Sequence, residues 1–197
     1  MRLMIADTGC ANIASVRYGF ARLGVDAEVS PDPARLCRAD RLVLPGVGSA
    51  QAAMTALRQS GLDSMMRAFE RPLLGICLGM QLLFEHSDEA GTPCLGLAPG
   101  RVRALPGSAG PVPHMGWNTL QEIRNHNLLR GVGEGDYVYF VHAFAAAPDA
   151  HTLARCTYGA PFAAVLAKDN VFGCQFHPER SAATGARILQ NFLTVQP

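Results

Sequence analysis

Short apolar runs alternate with amphipathic segments through the first half of the chain. The apolar runs have the length and composition of buried strands and cover residues 3–6, 25–29, 42–44 and 73–76. Apolar residues at helical spacing predict helices over residues 13–23, 50–59, 62–69 and 78–85. Strands that alternate with helices are typical of a parallel sheet covered on both faces, so this half predicts an α/β fold.

Residues with capping and helix-breaking chemistry support these boundaries. Asn12 is the expected N-cap of the first helix and Gly24 its stop signal. Gly61 separates the two helices that follow the third strand. Residues 45–48, PGVG, are expected to cut off the third strand itself.

The second half of the chain has a different pattern. From residue 91 to residue 135 glycine, proline and polar residues become more frequent and the apolar runs shorten. We expect hairpin-like strands over residues 102–104, 112–114 and 137–141, antiparallel strands over 152–157 and 162–166, a last strand over 171–176 and a closing helix over 182–193. The predicted fold is a mostly parallel central sheet flanked by helices, with an antiparallel addition in the second half, in a single domain over residues 1–197.

Composition and charge narrow the class of protein. The chain has 17 Lys and Arg residues against 16 Asp and Glu residues, so a nucleic-acid-binding function is disfavoured. No apolar run reaches the roughly 18 residues of a membrane span. The apolar stretch at residues 1–6 is short for a signal peptide, so we expect a cytoplasmic globular protein. The low charged share, 17%, fits a large core.

Six cysteines are spread along the chain without a C-x-x-C pair: Cys10, Cys37, Cys77, Cys94, Cys156 and Cys174. This spread favours reduced thiols, and all except Cys77 are expected to pack as small apolar side chains. The cysteines and histidines lack the spacing of a zinc site. We therefore expect neither a metal nor a cofactor.

The most informative local feature is the segment of residues 75–79, GICLG, where an apolar strand meets a helix. The pattern G-x-C-x-G has the form of a nucleophile elbow in which Cys77 replaces the usual serine. The glycines permit a tight turn that exposes the thiol at the carboxyl edge of the sheet. The helix N-terminus at Leu78 stabilises a thiolate and offers N–H groups to an oxyanion. The alternative is a buried cysteine in a glycine-flanked turn.

A thiolate nucleophile needs a base and a group that orients the base. Among six histidines His177 has the best context, because it directly follows an apolar strand. Glu179 is close enough in sequence to turn back and accept the imidazole N–H. A solvated turn is the alternative, but two such strand-end sites together favour a triad of Cys77, His177 and Glu179.

The loop of residues 45–48 follows the third strand and is expected at the same edge of the sheet. The backbone N–H of Val47 and that of Leu78 are the predicted oxyanion hole. A phosphate-binding loop is disfavoured, because neither G-x-x-x-x-G-K-[ST] nor G-x-G-x-x-G occurs in the chain. A simple turn is the remaining alternative.

Residues 75–83, GICLGMQLL, and residues 176–179, FHPE, resemble class I (triad) glutamine amidotransferases, which hydrolyse glutamine through a glutamyl thioester and release ammonia. Residues 45–48 (PGVG), 113–118 (PHMGWN) and 139–142 (YFVH) narrow the resemblance to the glutaminase subunits of imidazole glycerol phosphate synthases of histidine biosynthesis. The resemblance covers almost the whole chain. It implies L-glutamine as substrate and, as heterodimer partner, a (β/α)₈ cyclase subunit that receives the ammonia, with no nucleic acid and no membrane.

The resemblance also implies roles for individual positions. Cys77 would be the nucleophile, His177 the base and acid, and Glu179 the group that orients His177. The implied glutamine-binding positions are Gly48, Gln81 and Glu89, with the Val47 backbone near the oxyanion. The positions that would face the cyclase subunit are Asn12, Trp117, Tyr139 and Arg180.

Several residues depart from the family pattern without touching the triad. Ala11 stands where glycine is usual, and Arg180 where lysine is common. Ala143 and Phe144 remove two hydroxyl groups from the region near the glutamine pocket. Two other functions stay open: a glutaminase of the same class that serves another synthase, such as one acting on a sugar or a pyridoxal precursor, and a regulatory binding module without catalysis.

Overall fold

The strands of the computed structural model, which describes residues 1–9 and 11–196, form a large central sheet and two smaller sheets. In chain order the strands are β1 (Leu3–Ala6), β2 (Glu28–Ser30), β3 (Arg41–Gly46), β4 (Leu73–Cys77), β5 (His86–Ser87), β6 (Thr92–Pro93), β7 (Arg101–Ala104), β8 (His114–Thr119), β9 (Tyr137–His142), β10 (Phe144–Ala146), β11 (Thr152–Tyr158), β12 (Ala160–Lys168) and β13 (Val171–Cys174). The helices are α1 (Ile13–Ala21), α2 (Pro33–Leu36), α3 (Ala50–Ser60), α4 (Leu62–Arg67), α5 (Leu78–Leu83) and α6 (Ala182–Phe192).

The central sheet has the strand order β11-β12-β13-β4-β3-β1-β2. Its neighbours are parallel from β2 to β13, and β12 and β11 add to that edge as antiparallel strands. The smaller sheets are β10-β7-β5-β6 and a ribbon of β8 and β9. The predicted mostly parallel sheet with an antiparallel addition is confirmed.

Helices cover both faces of the central sheet, which explains why strands β1, β4 and β13 carry no polar or charged side chain apart from cysteine. One face packs α1 and α6 through Phe20 and Ile188 against strand residues such as Ile5. The other face packs α3, α4 and α5 against alternate strand positions such as Met4 and Leu42. Side chains that alternate along a strand therefore enter two separate cores.

Several predicted boundaries are wrong by a few residues. The second strand lies at 28–30 instead of 25–29, because the Val25 N–H bonds back to the Phe20 carbonyl and prolongs the end of α1. The third strand continues through Pro45, which sits next to its end where a missing N–H interrupts little of the ladder. Helix α5, predicted over residues 78–85, ends at Leu83 because Phe84 is extended.

In the second half, residues 112 and 113 are not part of a strand. The ribbon begins at His114, because Pro113 has no N–H to offer to β9. The very short β5, β6 and β10 were not predicted, since two or three residues carry no periodic signal. Helix α2 was missed although Asp32 caps it and Pro33 opens it, both recognisable start signals.

The cysteines follow the prediction in part. Cys94, Cys156 and Cys174 are buried, as expected. Cys37 is exposed just after α2, so its predicted role in packing is wrong. Cys10 lies outside the described residues. Within the described parts of the chain, no helix has both the length and the apolar character that crossing a membrane requires.

Candidate active site

The turn between β4 and α5 has the geometry of the predicted nucleophile elbow. Cys77 adopts φ 53° and ψ −112°, a strained conformation for a residue with a side chain. A Cβ atom at Gly75 would lie 2.6 Å from the Gly79 carbonyl oxygen, and one at Gly79 would collide with the Leu44 carbonyl oxygen. Both flanking positions therefore require glycine.

The register of the sheet brings the two predicted strand-end sites together. Strands β4 and β13 are parallel neighbours, with Ile76 opposite Cys174. Cys77 and His177 follow these paired residues at the same edge. His177 Nδ1 lies 2.8 Å from Glu179 Oε1, with 12% of the His177 side chain and 2% of the Glu179 side chain exposed. An Nδ1–H donated to Glu179 leaves Nε2 of His177 for the thiol.

Cys77 and Glu179 both raise the pKa of His177. Burial lowers the pKa of His177, but hydrogen bonds and Coulomb attraction to Cys77 and Glu179 outweigh it and raise this pKa to about 10. Once His177 has taken the proton of the thiol, the resulting imidazolium is suited to give that proton to a leaving group.

A cavity of about 260 Å³ opens over the thiol. It is lined by Val47, Gly48, Cys77, Leu78, Gln81, Glu89, Pro113, Val141, His142, Ala143, Phe144 and His177. The structure thus brings every predicted glutamine-binding and oxyanion residue to one cavity. Its volume lies just below the roughly 300–1,000 Å³ of pockets for drug-sized ligands, which suits a ligand of the size of an amino acid.

The two predicted glutamine-binding side chains are held by hydrogen bonds. Gln81 Nε2 donates to the Phe144 carbonyl at 2.8 Å and to Gln175 Oε1 at 3.1 Å. Glu89 Oε2 accepts the N–H of Ala50, the first residue of α3, at 2.6 Å. Both side chains therefore reach the cavity from fixed positions.

Parallel pairing also places the two predicted oxyanion groups side by side. Gly46 at the end of β3 pairs with Cys77 at the end of β4, so Val47 and Leu78 continue from adjacent strand ends. Gly48 has φ +91°, a conformation that favours glycine. The role of the Val47 and Leu78 N–H groups in stabilising an oxyanion stays a prediction.

Sequence reasoning missed three residues at the site. The thiol of Cys77 donates to the Val141 carbonyl at 3.6 Å, and the buried Gln175 lies with Nε2 4.0 Å from the same sulfur. His142 borders the cavity. Two signals were available: Gln175 is a polar residue in an otherwise apolar segment, and Val141 and His142 belong to the segment of residues 139–142 that carries part of the resemblance.

Three of the four residues expected to face a partner form one cluster. Trp117 is opposite Tyr139 in the ribbon, with ring centroids 5.9 Å apart, and Arg180 lies 5.9 Å from the Tyr139 ring. Asn12 has another contact: as predicted it caps α1, accepting from the Ser15 N–H at 3.2 Å. Asn12 also borders a small cleft that Val47, His177 and Glu179 help to line.

The fold, the elbow and the Cys-His-Glu geometry together define the class I glutamine amidotransferases. The sequence model of the family "Glutamine amidotransferase class-I" matches residues 4–195, and the chain belongs to this family. Solved structures that share the fold include PurLQS from Thermotoga maritima (TM-score 0.69, 18% identity, covering 98% of this chain and 97% of that one). The glutaminase domain of Trypanosoma brucei CTPS is another (TM-score 0.64, 15% identity, covering 99% and 96%).

Relatives with higher sequence identity identify a subgroup within this class. The chain is 55% identical over 190 residues to "Imidazole glycerol phosphate synthase subunit HisH" of Xanthomonas euvesicatoria pv. vesicatoria (strain 85-10), covering 96% of this chain and 95% of the relative. It is 44% identical over 205 residues to the protein of the same name from Colwellia psychrerythraea (strain 34H / ATCC BAA-681), covering 96% and 91%. The chain belongs to the family of HisH subunits of imidazole glycerol phosphate synthase.

Proposed function

We propose that this chain hydrolyses glutamine through Cys77, His177 and Glu179 and passes the ammonia to a cyclase subunit. It is the glutaminase subunit of an imidazole glycerol phosphate synthase, which serves histidine biosynthesis. The observation that carries the proposal is the strained Cys77 beside His177, itself bonded to Glu179 at 2.8 Å, beneath an amino-acid-sized cavity.

In the first half of the reaction His177 takes the S–H proton of Cys77, and the resulting thiolate attacks the amide carbon of glutamine. The N–H groups of Val47 and Leu78 stabilise the negative oxygen of the tetrahedral intermediate. His177 donates its proton to the amide nitrogen, the C–N bond breaks, and ammonia leaves a glutamyl thioester on Cys77. The pKa of about 10 keeps this proton on His177 at neutral pH.

In the second half, water attacks the thioester carbon and His177 takes the water proton. The second tetrahedral intermediate expels the Cys77 thiolate, and glutamate leaves. Glu179 accepts the Nδ1–H of His177 throughout and holds the imidazole in one tautomer and orientation. Its short hydrogen bond to Nδ1 directs Nε2 to the reacting atoms in both steps.

Gln81, Glu89 and Gly48 provide the binding site for glutamine. The Glu89 carboxylate borders the cavity and supplies negative charge for the α-ammonium group of the substrate. Gly48 brings backbone close to the substrate. Ala143 and Phe144 line the same cavity without hydroxyl groups, so recognition on that wall depends on backbone carbonyls.

The cyclase subunit is proposed to dock on the surface that carries Asn12, Trp117, Tyr139 and Arg180. Trp117 is 51% exposed, and the exposed Met115 and Tyr137 extend the same ribbon. Clustered exposed aromatic and apolar side chains are typical of interface hot spots. The backbone N–H of His177 donates to the Tyr139 carbonyl at 2.9 Å, so this surface directly adjoins the proposed triad.

The proposed location of the protein is the cytoplasm. The buried thiols of the described residues fit this reducing compartment.

Covalent labelling with a glutamine-like electrophile tests the site. We expect one label per chain, located on Cys77 by mass spectrometry and prevented by excess glutamine. Cys37→Ala is the matched control, because Cys37 is the exposed thiol of the described residues and its removal should leave the label unchanged. Absence of labelling at Cys77 would favour the non-catalytic binding module, and a label that persists in Cys77→Ala would refute the assignment.

A further inference from the structure

Two histidines outside the proposed triad form a buried pair beside the cavity. His114 and His142 lie opposite each other in the β8–β9 ribbon and are 4% and 5% exposed. His142 borders the cavity, and His114 is stacked between Phe140 and Tyr158, with ring centroids 4.9 and 4.1 Å away. The proposed reaction uses neither imidazole.

The hydrogen bonds of this pair form a chain in which Asn118 donates to His114, His114 donates to His142, and His142 donates to the Phe144 carbonyl. His142 Nδ1 lies 2.9 Å from the Phe144 carbonyl oxygen, which only accepts, so Nδ1 carries the hydrogen. The Nε2 atom of neutral His142 then accepts from His114 Nδ1 at 3.1 Å. His114 Nε2 in turn accepts from the side-chain amide of Asn118 at 3.4 Å. That amide also donates to the Thr157 carbonyl at 3.1 Å, which fixes its orientation.

Both imidazoles must be neutral for this arrangement. Burial lowers the pKa of His142 to about 4, helped by the repulsion that a protonated His114 or His177 exerts and opposed by the hydrogen bond to Phe144. Burial also lowers the pKa of His114. At neutral pH each ring then has one donor and one acceptor nitrogen, as the chain of hydrogen bonds requires.

The chain of hydrogen bonds ends on the wall of the cavity. The Phe144 carbonyl accepts from His142 Nδ1 and also from Gln81 Nε2, at 2.9 and 2.8 Å. At the other end of the same segment, the Val141 carbonyl accepts the S–H of Cys77 at 3.6 Å. Residues 141–144 thus connect the histidine pair to the nucleophile and to a proposed glutamine-binding side chain.

We propose that His114 and His142 are positioning residues that set the affinity for glutamine by holding residues 141–144 in place. His142 acts through the Nδ1–H that it donates to the Phe144 carbonyl. His114 acts through His142, whose tautomer and ring orientation it fixes. The inference rests on the proposed function, because it takes residues 141–144 as the wall of the glutamine pocket.

Three variants of one residue separate the two hydrogen bonds of His142. His142→Asn keeps a donor near the Nδ1 position, His142→Gln keeps an acceptor near the Nε2 position, and His142→Phe keeps neither. Measured with the cyclase subunit present, we expect His142→Phe and His142→Gln to raise KM for glutamine at least tenfold, with a smaller change in kcat. His142→Asn should restore most of the wild-type KM. His151→Asn, a partly exposed histidine away from the cavity, is the control and should leave KM unchanged.

The order of the three KM values decides the question. Equal KM values for the Asn, Gln and Phe variants, or a wild-type KM in all of them, would overturn the inference and leave the pair a packing element. If His142→Phe does not fold, the Asn and Gln variants give the same comparison. Cys77→Ala in the same assay separates the two proposals: hydrolysis that survives it contradicts the proposed function, whatever the ranking of the His142 variants.

Discussion

At the scale of single residues, the chemistry of the site begins with the strained backbone of Cys77. The positive φ of this residue lies between two close approaches that exclude a Cβ atom, that of Gly75 in β4 to α5 and that of Gly79 in α5 to β3. The pattern G-x-C-x-G predicted this turn, since glycine is the one residue that such proximity admits.

Gly79→Ala tests this steric argument. The added methyl group would overlap the Leu44 carbonyl oxygen, so we expect the variant to lose roughly 1–3 kcal/mol or more in the free energy of unfolding, measured by urea denaturation. Gly133→Ala is the matched control, because nothing lies within 4 Å of its Cβ position, and it should stay within about 0.5 kcal/mol of the wild type. Equal stability of the two variants would contradict the close approach.

The pKa of His177 reports on its contact with the thiol. Cys77→Ala removes a hydrogen bond and a Coulomb attraction that raise this pKa, so we expect a value clearly below the wild-type value of about 10. A raised histidine pKa contributes stability that is complete below about 6.5 and is lost as the pH rises through the folded-state value. NMR titration of the imidazole checks the shift, and an unchanged pKa in the variant would show that the two side chains are not in contact.

At the scale of secondary-structure elements, parallel pairing explains why residues distant in sequence share one site. Strands β3, β4 and β13 are neighbours, so the groups that follow them meet at one edge. The meeting of Cys77, His177 and residues 47–48 at this edge was predictable, because each ends or follows an apolar strand. The histidine pair was not, because His114 and His142 meet only through the register of an irregular ribbon. Strand pairs of this kind leave no mark in local periodicity.

The buried histidine pair gives the protein an acid-sensitive element. A lowered histidine pKa contributes stability above about 6.5 that is lost as the pH falls through the folded-state value, here about 4 for His142. Urea denaturation at pH 7 and pH 4.5 should therefore show a smaller loss of stability in His142→Asn than in the wild type. The full difference is on the order of 3 kcal/mol. A loss as large in the variant as in the wild type would contradict a buried neutral His142.

At the scale of the whole molecule, the net charge and the low charged share both bear on which partners the surface can bind. A net charge of +1 supplies no bulk attraction for phosphates, so recognition of a phosphorylated acceptor belongs to the partner in our proposal. The low charged share leaves room for an aromatic cluster on the surface, formed by the exposed Trp117 and Tyr137 and the half-buried Tyr139. No periodic pattern predicted that this cluster would be exposed, because a lone tryptophan is more often part of a core.

Trp117→Ala tests the proposed docking surface. Removing a central aromatic side chain from an interface typically costs about 2 kcal/mol or more, so binding to the cyclase subunit should weaken at least tenfold in calorimetry. Gln59→Ala, on the exposed side of α3, is the control and should bind as the wild type does. Full affinity of the Trp117 variant would place the interface elsewhere, and co-purification with a different synthase would support the alternative amidotransferase.

The most direct test of the account compares Cys77→Ala with the wild type in the complex with the cyclase subunit. The variant should lose glutamine hydrolysis entirely, because the thioester cannot form, and should retain synthesis when ammonia is supplied directly. Release of glutamate and the rate of ammonia-dependent synthesis are measured in the same preparation. Continued hydrolysis of glutamine by the variant would contradict the central role of Cys77.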